Sequence, residues 1–207
     1  MYSNITFIIP TIGRSTLLKT IESLKNQTNN LWKAIIIFDG IDSTIENNDD
    51  RITILKSEKL GINTNKAANV RNYGIKFATT EWVAFLDDDD SISNDYIDKF
   101  LNEITLFNQV EILVFRMLNN DGRILPELDS SKLEFHHVGI SFAVKKSLFD
   151  SGLIFHPSHC EDFIYLYNCV KNGCKLIISP YITYFVREYE NNKNDSLGTR
   201  VFFNYII

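Results

Sequence analysis

Four consecutive aspartates, Asp87 to Asp90, follow directly on the apolar run "WVAFL" (82–86). Neighbouring carboxylates repel one another and raise one another's pKa, so such a run is costly unless the charges are solvated, hydrogen-bonded or bound to a cation. As alternate members, Asp87 and Asp89 are spaced to share a hard cation such as Mg²⁺ or Mn²⁺ through carboxylate oxygens. The alternative is a solvated acidic loop that also caps a following helix.

The aspartates come after one of several predicted strands. Runs of β-branched and aromatic residues, typical of strands buried on both faces, lie at 5–10, 33–38, 51–56 and 82–87. Apolar residues at helical spacing follow the expected N-caps Ser15, Thr64 and Ser93. Strands that alternate with helices predict an α/β fold with a mostly parallel, doubly wound sheet.

The second half of the chain has a different pattern. Further strand-like runs lie at 111–118, 137–144 and 175–180, with a turn at 120–122. The segment 188–199 has almost no apolar residues and no periodicity, which predicts a mobile loop. We expect this half to form a smaller α+β part added to the parallel half.

A late helix is predicted over 160–172. Ser158 and Glu161 have the spacing of a capping box at its start, with Ser158 as the N-cap. That structural role is sufficient to account for Glu161. The adjacent Asp162 then points outward from the first turn, toward whatever the helix start faces.

Three polar loops follow the predicted strands of the first half. They lie at 10–14 ("PTIGR"), at 39–42 and at 87–90. In open parallel sheets, ligands bind beyond the carboxyl ends of the strands. We therefore expect these loops to meet at one rim of the sheet and to form a binding site there.

The composition favours one globular domain and argues against nucleic acid as a partner. The chain has 207 residues, of which 44% are hydrophobic, enough for a sizeable core. Its 21 basic and 26 acidic residues give a net charge of −5 without a long basic run, so nucleic acid is not an expected partner. The N-terminal apolar run is too short for a signal peptide or a transmembrane segment, which predicts a cytoplasmic protein. In the cytoplasm the three cysteines are expected to be reduced thiols.

Two other classes of site have a similar aspartate spacing. The stretch "FLDDDDS" (85–91) superficially fits the pattern of haloacid-dehalogenase-like phosphatases, with Asp87 as nucleophile and Asp89 as acid. That pattern belongs on the first strand of its domain, whereas three strands precede it here, so it is a minor alternative. An EF-hand is excluded because its glycine and terminal glutamate are missing at the required positions.

Four stretches together resemble a known family. They are "ITFIIPTIGR" (5–14), "IIIFDGIDST" (35–44), "KLGINTNKAANVRNYGIKFATTEWVAFLDDDD" (59–90) and "CEDFIYLYNCVKNGCKL" (160–176). Each is weak alone, but in this order and spacing the chain resembles the family 2 glycosyltransferases from residue 5 to residue 187. The resemblance implies a GT-A fold, which is a Rossmann-like, mostly parallel central sheet flanked by helices. It also implies one domain over 1–207, with a nucleotide-sugar-binding half (1–90) and an α+β acceptor-side half (91–187).

The resemblance assigns donor-binding residues by position. Pro10 and Thr11 belong to the first loop, which holds the nucleotide. Asp39 accepts from the uracil imide N3–H, a task that suits an acceptor-only carboxylate. Arg71 stands in the segment 70–72, which matches the family's A-R-N with valine for alanine. From residue type alone, Asp39 is also an ordinary Asx-turn former.

The resemblance also assigns metal-binding and catalytic residues. Asp87-Asp88-Asp89 matches the family's DxD motif, so Asp87 and Asp88 contact the donor and Asp89 binds the metal with Asp87. Asp90 is a second candidate ligand, since four adjacent aspartates leave the register open by one position. Asp162 matches the family's acidic pair and is the general base, whereas its structural alternative is to stabilise the helix start. Arg14 is either a phosphate contact at the rim or a surface cation, and the surface cation is the favoured interpretation.

Two late features are less specific. A downstream histidine completes the metal site in some relatives, and the four histidines lie at 136, 137, 156 and 159. Tyr181, Tyr184 and Arg187 resemble the family's late segment before a flexible loop, here 188–199. That loop is expected to close over donor and acceptor.

The residues and the resemblance together predict a metal-dependent, inverting glycosyltransferase. It uses a nucleotide-diphosphate sugar, expected to be a UDP-sugar with Mn²⁺ or Mg²⁺, and an acceptor hydroxyl in glycan or polysaccharide synthesis. One alternative is an inactive GT-A module that binds nucleotide or a partner. Another is a GT-A-like nucleotidyltransferase, but its Gly-rich basic loop after the first strand is missing. The apolar stretch 200–207 needs burial, either on its own domain or in a homo-oligomer.

Overall fold

The computed structural model of the chain describes residues 5–61 and 67–186. The predicted strands of the first half are present as β1 (Ile5–Thr11), β2 (Trp32–Asp39), β3 (Ile52–Ser57) and β4 (Trp82–Phe85). The predicted helices are present as α1 (Leu17–Lys25), α2 (Ala68–Ile75) and α3 (Tyr96–Leu106). The alternation of strands and helices is therefore confirmed for this half.

The second half adds shorter and more varied elements. Its strands are β5 (Ser91–Ile92), β6 (Ile112–Leu118), β7 (Ile124–Leu125), β8 (Phe142–Lys145) and β9 (Leu176–Phe185). Its helices are α4 (Lys146–Asp150) and α5 (Glu161–Lys171). Strands β5 and β7 and helix α4 were not predicted, because such short elements contain too few residues for a periodic signal. The strand expected at 137–144 begins only at Phe142.

The strands of the described residues form one sheet. Its order is β3-β2-β1-β4-β8-β6-β9-β5, with β7 paired to β6. Strand β1 is parallel to both β2 and β4, and β2 is parallel to β3. Strand β8 is antiparallel to its neighbours β4 and β6. The carboxyl ends of β1, β2 and β4 therefore lie at the same edge of the sheet.

The helix starts differ from the expected N-caps. Helix α1 begins after Thr16 rather than Ser15, and α3 begins after Asp95 rather than Ser93. The Ser93 hydroxyl donates to Asp95 Oδ1 at 2.7 Å, so it supports the turn before α3 instead of capping the helix. Thr64, the expected N-cap of α2, lies outside the described residues.

Helix α5 begins without the predicted capping box. Its N-cap is Cys160, and Glu161 is the first helical residue. The backbone N–H of Cys160 donates to Ser158 Oγ at 3.3 Å, which closes a turn ahead of the helix. The prediction that Ser158 and Glu161 cap one another is wrong, and the Glu161 carboxylate is bonded elsewhere.

An aromatic cluster packs α5 against the sheet. The rings of Phe142, Phe155 and Tyr165 stack with centroids 4.4 to 6.3 Å apart. Phe85 of β4 meets Phe155 edge-on at 5.0 Å. Large buried rings of this kind contribute strongly to core packing. The cluster therefore fixes α5 relative to β4, whose carboxyl end leads into the aspartate run.

Several expectations concern features outside the sheet. No helix in the described part of the chain is long and apolar enough to cross a membrane. The three cysteines are free thiols. The expected loop 188–199, Arg187 and the apolar stretch 200–207 lie outside the described residues.

Gly74 lies where α2 crosses β1 and β2. A Cβ at this position would lie 2.6 Å from Ile37 Cδ1 and 3.0 Å from Ile8 Cγ2. Both isoleucines are fully buried and β-branched, so they have little freedom to move aside. We expect Gly74→Ala to lower the free energy of unfolding by about 1–3 kcal/mol, although alanine has the higher helix propensity. Urea unfolding followed by circular dichroism measures this change.

The matched control for Gly74→Ala is Gly139→Ala. A Cβ at Gly139 would meet the flexible thioether of Met117, with Sδ at 2.7 Å. Because that side chain can change rotamer, we expect the smaller loss at Gly139. Equal losses at the two positions would mean that α2 does not depend on close approach to the sheet.

Candidate active site

A cleft of about 490 Å³ opens beyond the carboxyl ends of β1, β2 and β4. The predicted site residues that line it are Pro10, Thr11, Asp39, Arg71, Asp87, Asp88, Asp89 and Asp162. The opposite wall is the start of α5 with the preceding Ser158 and His159. The three polar loops thus meet at one rim, and Asp162 faces them across the same space.

Asp39, at the end of β2, is held by the segment that follows β3. The backbone N–H groups of Leu60 and Gly61 donate to its two oxygens at 2.6 and 3.1 Å, and Lys59 Nζ donates at 2.6 Å. Burial alone would raise the pKa of Asp39, but these donors together lower it below its usual value. The side chain therefore stays ionised and acts only as an acceptor. The part played by Lys59 was not predicted, since its partner lies on another strand.

Asp88 joins the first loop to the aspartate run. Thr11 Oγ1 donates to Asp88 Oδ2 at 2.6 Å, and an Arg14 guanidinium nitrogen lies 2.9 Å from Oδ1. The same nitrogen lies 3.2 Å from Asp89 Oδ2. The interpretation of Arg14 as a surface cation is therefore wrong, because it neutralises part of the run. The Asp88 carboxylate, expected to contact the donor, is instead occupied by these two protein partners.

Asp87 and Asp89 present carboxylates to the cleft. Asp87 is 37% exposed and receives an Arg71 N–H at 2.6 Å on Oδ1. Burial, the neighbouring Asp87 and the neighbouring Asp88 raise the pKa of Asp89 to about 6, while Arg14 opposes them. Such a buried, electrostatically strained carboxylate is stabilised by a cation.

The donor set at this rim fits a hard cation only in part. Carboxylate oxygens suit Mg²⁺ or Mn²⁺. In the described part of the chain, however, no group of three or more His, Cys, Asp or Glu side chains is arranged to hold a metal ion. The possibility that a histidine completes the metal site, as in some relatives, stays a prediction. A cation here would rely on one or two aspartates together with oxygens from a phosphate ligand, which is common for Mg²⁺.

Asp90 lies away from the cleft. Tyr184 Oη donates to Asp90 Oδ2 at 2.7 Å, and the Asp87 backbone N–H donates to Tyr184 Oη at 3.3 Å. Both side chains are buried. Asp90 is thus a structural residue that ties the run to β9, and its expected place as a second metal ligand does not agree with this geometry. The resemblance places Tyr184 in the family's late segment, but the sequence did not predict its bond to Asp90.

Arg71 connects the two walls of the cleft. This 4% exposed side chain bonds Asp87 through one terminal nitrogen and Glu161 Oε1 through the other. The nitrogen that bonds Glu161 lies 3.7 Å from Asp162 Oδ1. Glu161 Oε2 accepts the backbone N–H of Ala68 at 3.2 Å. One guanidinium therefore faces three carboxylates that come from β4 and α5.

Asp162 is the least satisfied carboxylate of this group. Its Oδ1 atom is buried and has no hydrogen-bond partner among the described residues. Burial raises the pKa of Asp162 to about 6, Arg71 lowers it and Asp87 adds to the rise. A carboxylate with an unoccupied buried oxygen and a raised pKa is suited to accept a proton.

A parallel sheet half with an acidic cleft at its carboxyl edge, joined to an α+β half, defines a GT-A glycosyltransferase fold. The chain belongs to glycosyltransferase family 2, because the model of the family described as "Glycosyl transferase family 2" matches residues 6–159. The resemblance to this family is thereby confirmed over residues 6–159.

Two curated relatives share part of this sequence. The chain is 31% identical over 105 residues to a Bacillus subtilis (strain 168) protein named as the glycosyltransferase EpsH. It is 27% identical over 139 residues to an uncharacterized glycosyltransferase of Rickettsia bellii (strain RML369-C). The alignments cover 47% and 62% of this chain but only 29% and 19% of the relatives. The chain therefore corresponds to a minor part of each relative's length.

Solved structures of Staphylococcus aureus TarS share the fold. TarS 1–349 superposes with a TM-score of 0.69 at 18% identity, and the match covers 90% of this chain and 60% of that chain. TarS 1–349 in complex with UDP-GlcNAc superposes with a TM-score of 0.67 at 18% identity, covering 95% and 62%. These likenesses confirm the predicted GT-A fold.

The raised pKa of Asp162 predicts a change in stability with pH. Because its pKa of about 6 in the folded protein lies above the ordinary value of 3.8, ionisation opposes folding above pH 6. That penalty is relieved as the pH falls through 6 toward 4. We expect Asp162→Asn to raise the thermal midpoint by about 2–4 °C at pH 7 and by much less at pH 4. Differential scanning calorimetry at both pH values checks this.

Asp98→Asn is the matched control for this effect. Hydrogen bonds from Thr28 and Asn29 lower the pKa of Asp98, so its ionisation favours folding. Its replacement should not raise the thermal midpoint at pH 7. If Asp162→Asn also fails to raise it, Asp162 is better solvated than this geometry indicates.

Proposed function

We propose that the chain is a metal-dependent, inverting glycosyltransferase that moves a sugar from a UDP-sugar to an acceptor hydroxyl. The supporting observation is a single cleft that brings the aspartate run of β4 opposite Asp162 of α5. Family membership makes glycosyl transfer the expected chemistry. The metal, the stereochemical outcome and the donor are inferred from the residues below.

Asp39 is the proposed reader of the base. An ionised carboxylate has about four acceptor positions, and Lys59, Leu60 and Gly61 use three of them. The remaining capacity suits the N3–H of uracil. Thr11 and Pro10 line the same cleft and would lie against the nucleoside. The structures of TarS with UDP and with UDP-GlcNAc support a UDP-linked donor for a chain of this fold.

Asp87 and Asp89 are the proposed ligands of Mn²⁺ or Mg²⁺. A bound metal of this kind offsets the negative charge on the diphosphate as the nucleotide leaves. Arg14 and Arg71 each bond to the run and neutralise part of its charge. The protein thereby keeps adjacent carboxylates in place for a donor that is itself an anion.

Asp162 is the proposed general base. In an inverting transfer, one carboxylate accepts the proton of the acceptor hydroxyl while the hydroxyl oxygen bonds to the anomeric carbon. The bond from that carbon to the diphosphate breaks on the opposite face, and the nucleoside diphosphate leaves. Asp162 lines the cleft and its side chain is 27% exposed, so an acceptor hydroxyl can approach the carboxylate. No second catalytic carboxylate is required.

The acceptor is proposed to be a saccharide in glycan or polysaccharide synthesis. Asp162 and His159 line the wall of the cleft opposite the aspartate run. An acceptor that approaches Asp162 would therefore contact the start of α5. The proposed loop closure and homo-oligomer depend on 188–199 and 200–207, which lie outside the described residues.

Nucleotide and metal should stabilise the protein together. We expect UDP with Mn²⁺ to raise the thermal midpoint by several degrees. A ligand present at a hundred times its Kd stabilises the folded protein by about 2.7 kcal/mol. GDP, CDP and dTDP with Mn²⁺, and UDP without metal, are the comparisons in a differential scanning fluorimetry series. The absence of any nucleotide-dependent shift would favour the inactive, partner-binding alternative.

Replacement of the base should separate binding from turnover. We expect Asp162→Asn to lower kcat by about 10²–10⁴-fold, because the acceptor proton loses its destination. The shift with UDP and Mn²⁺ should persist, since Asp39, Asp87 and Asp89 are unchanged. In the unmodified enzyme, kcat should fall on the acid side of pH 6, where Asp162 is protonated. Normal turnover in Asp162→Asn would refute the assignment.

A further inference from the structure

Arg71 has two carboxylates of α5 within reach of one nitrogen. That nitrogen bonds Glu161 Oε1, while Asp162 Oδ1 lies 3.7 Å from it. Charge-assisted N–H···O bonds are usually about 2.7–2.9 Å long. Arg71 and Asp162 therefore form an ion pair without a hydrogen bond. The guanidinium therefore selects Glu161 over Asp162 although the two residues are adjacent in sequence.

The selection has a structural cause at the start of α2. Glu161 Oε2 accepts the N–H of Ala68, the first residue of α2, at 3.2 Å. Arg71 lies one turn further along the same helix, so both oxygens of Glu161 are bonded to α2. A carboxylate fixed at both oxygens cannot turn away from Arg71 without leaving a buried N–H unpaired.

Without the charge of Glu161, Asp162 would be the competing acceptor for the same nitrogen. Its Oδ1 is buried and has no hydrogen-bond partner among the described residues. A shift of less than 1 Å in Arg71 would bring the pair to hydrogen-bond distance, from 3.7 to about 2.9 Å. An Asp162 hydrogen-bonded to Arg71 would be a weaker base.

We propose that Glu161 is a positioning residue that holds Arg71 away from Asp162. By bonding one terminal nitrogen of the guanidinium, Glu161 leaves Asp162 Oδ1 without a hydrogen bond to Arg71, while the other terminal nitrogen stays on Asp87. The catalytic part of this inference rests on the proposed function, in which Asp162 is the base. The positional part concerns only the side chains of Arg71, Glu161 and Asp162 and does not depend on any activity.

The test is Glu161→Gln, with a crystal structure and kinetics as separate readouts. The variant keeps the size of the side chain but has one acceptor oxygen for two donors, Ala68 N–H and Arg71. We expect the Arg71-to-Asp162 distance to shorten from 3.7 Å to hydrogen-bond length. We also expect kcat to fall by about 10- to 100-fold, because Asp162 would lose part of its effect as the base. The KM for the donor should change little.

Two further variants separate positioning from a general structural role. Glu103→Gln makes the same change at a buried carboxylate of α3 outside the cleft, and it should leave kcat unchanged. In an Asp162→Asn background, Glu161→Gln should lower the residual kcat by less than about threefold, because the group through which it acts is already absent. Equal fold losses in both backgrounds would overturn the proposal.

The structural readout distinguishes this proposal from the proposed function. If Arg71 stays 3.7 Å from Asp162 in Glu161→Gln, the positioning role is wrong whatever the kinetics. If Arg71 moves but the unmodified protein neither binds UDP nor transfers sugar, the positioning role holds and the proposed function fails. Should Glu161→Gln not fold, Glu161→Asp tests the same distance, since its shorter side chain cannot reach both Ala68 and Arg71.

Discussion

One buried guanidinium joins the two walls of the cleft. Arg71 comes from α2, and its partners come from the end of β4 and the start of α5. A buried cation is tolerated only when it is paired, and each buried carboxylate near it needs the same compensation. Arg71 therefore links Asp87, in the segment after β4, to Asp162, in the first turn of α5.

The charge at this site does not balance within the protein. Arg71 faces Asp87, Glu161 and Asp162, and Arg14 faces Asp88 and Asp89. Burial raises the pKa of Glu161 above its usual value, Arg71 opposes this rise, and Asp162 adds to it. Buried carboxylates with raised pKa values make the folded protein less stable at neutral pH than uncharged side chains would at the same positions. Strain of this kind is usual at functional sites.

Local patterns predicted the sheet and the rim because β-branched runs and helical spacing are properties of neighbouring residues. The same patterns misplaced Glu161, whose spacing from Ser158 mimics a capping box while its partner Ala68 lies 93 residues away. They could not separate Asp89 from Asp90 either, since the two have the same side chain. The direction of each depends on the backbone after β4 and on Tyr184, which contacts Asp90 from 94 positions later in the chain.

The contacts that complete the site have a consequence for synthesis of the chain. Strands β1, β2 and β4, which form one edge of the cleft, are complete once residue 85 has been synthesised. Arg71 still lacks its partner Glu161 at that point, and Asp90 lacks Tyr184 until β9 has been synthesised. Pairing across such sequence separations forms late, because loop closure must come first. A partly synthesised chain therefore presents an incomplete cleft, whose two walls are joined only when α5 and β9 are in place.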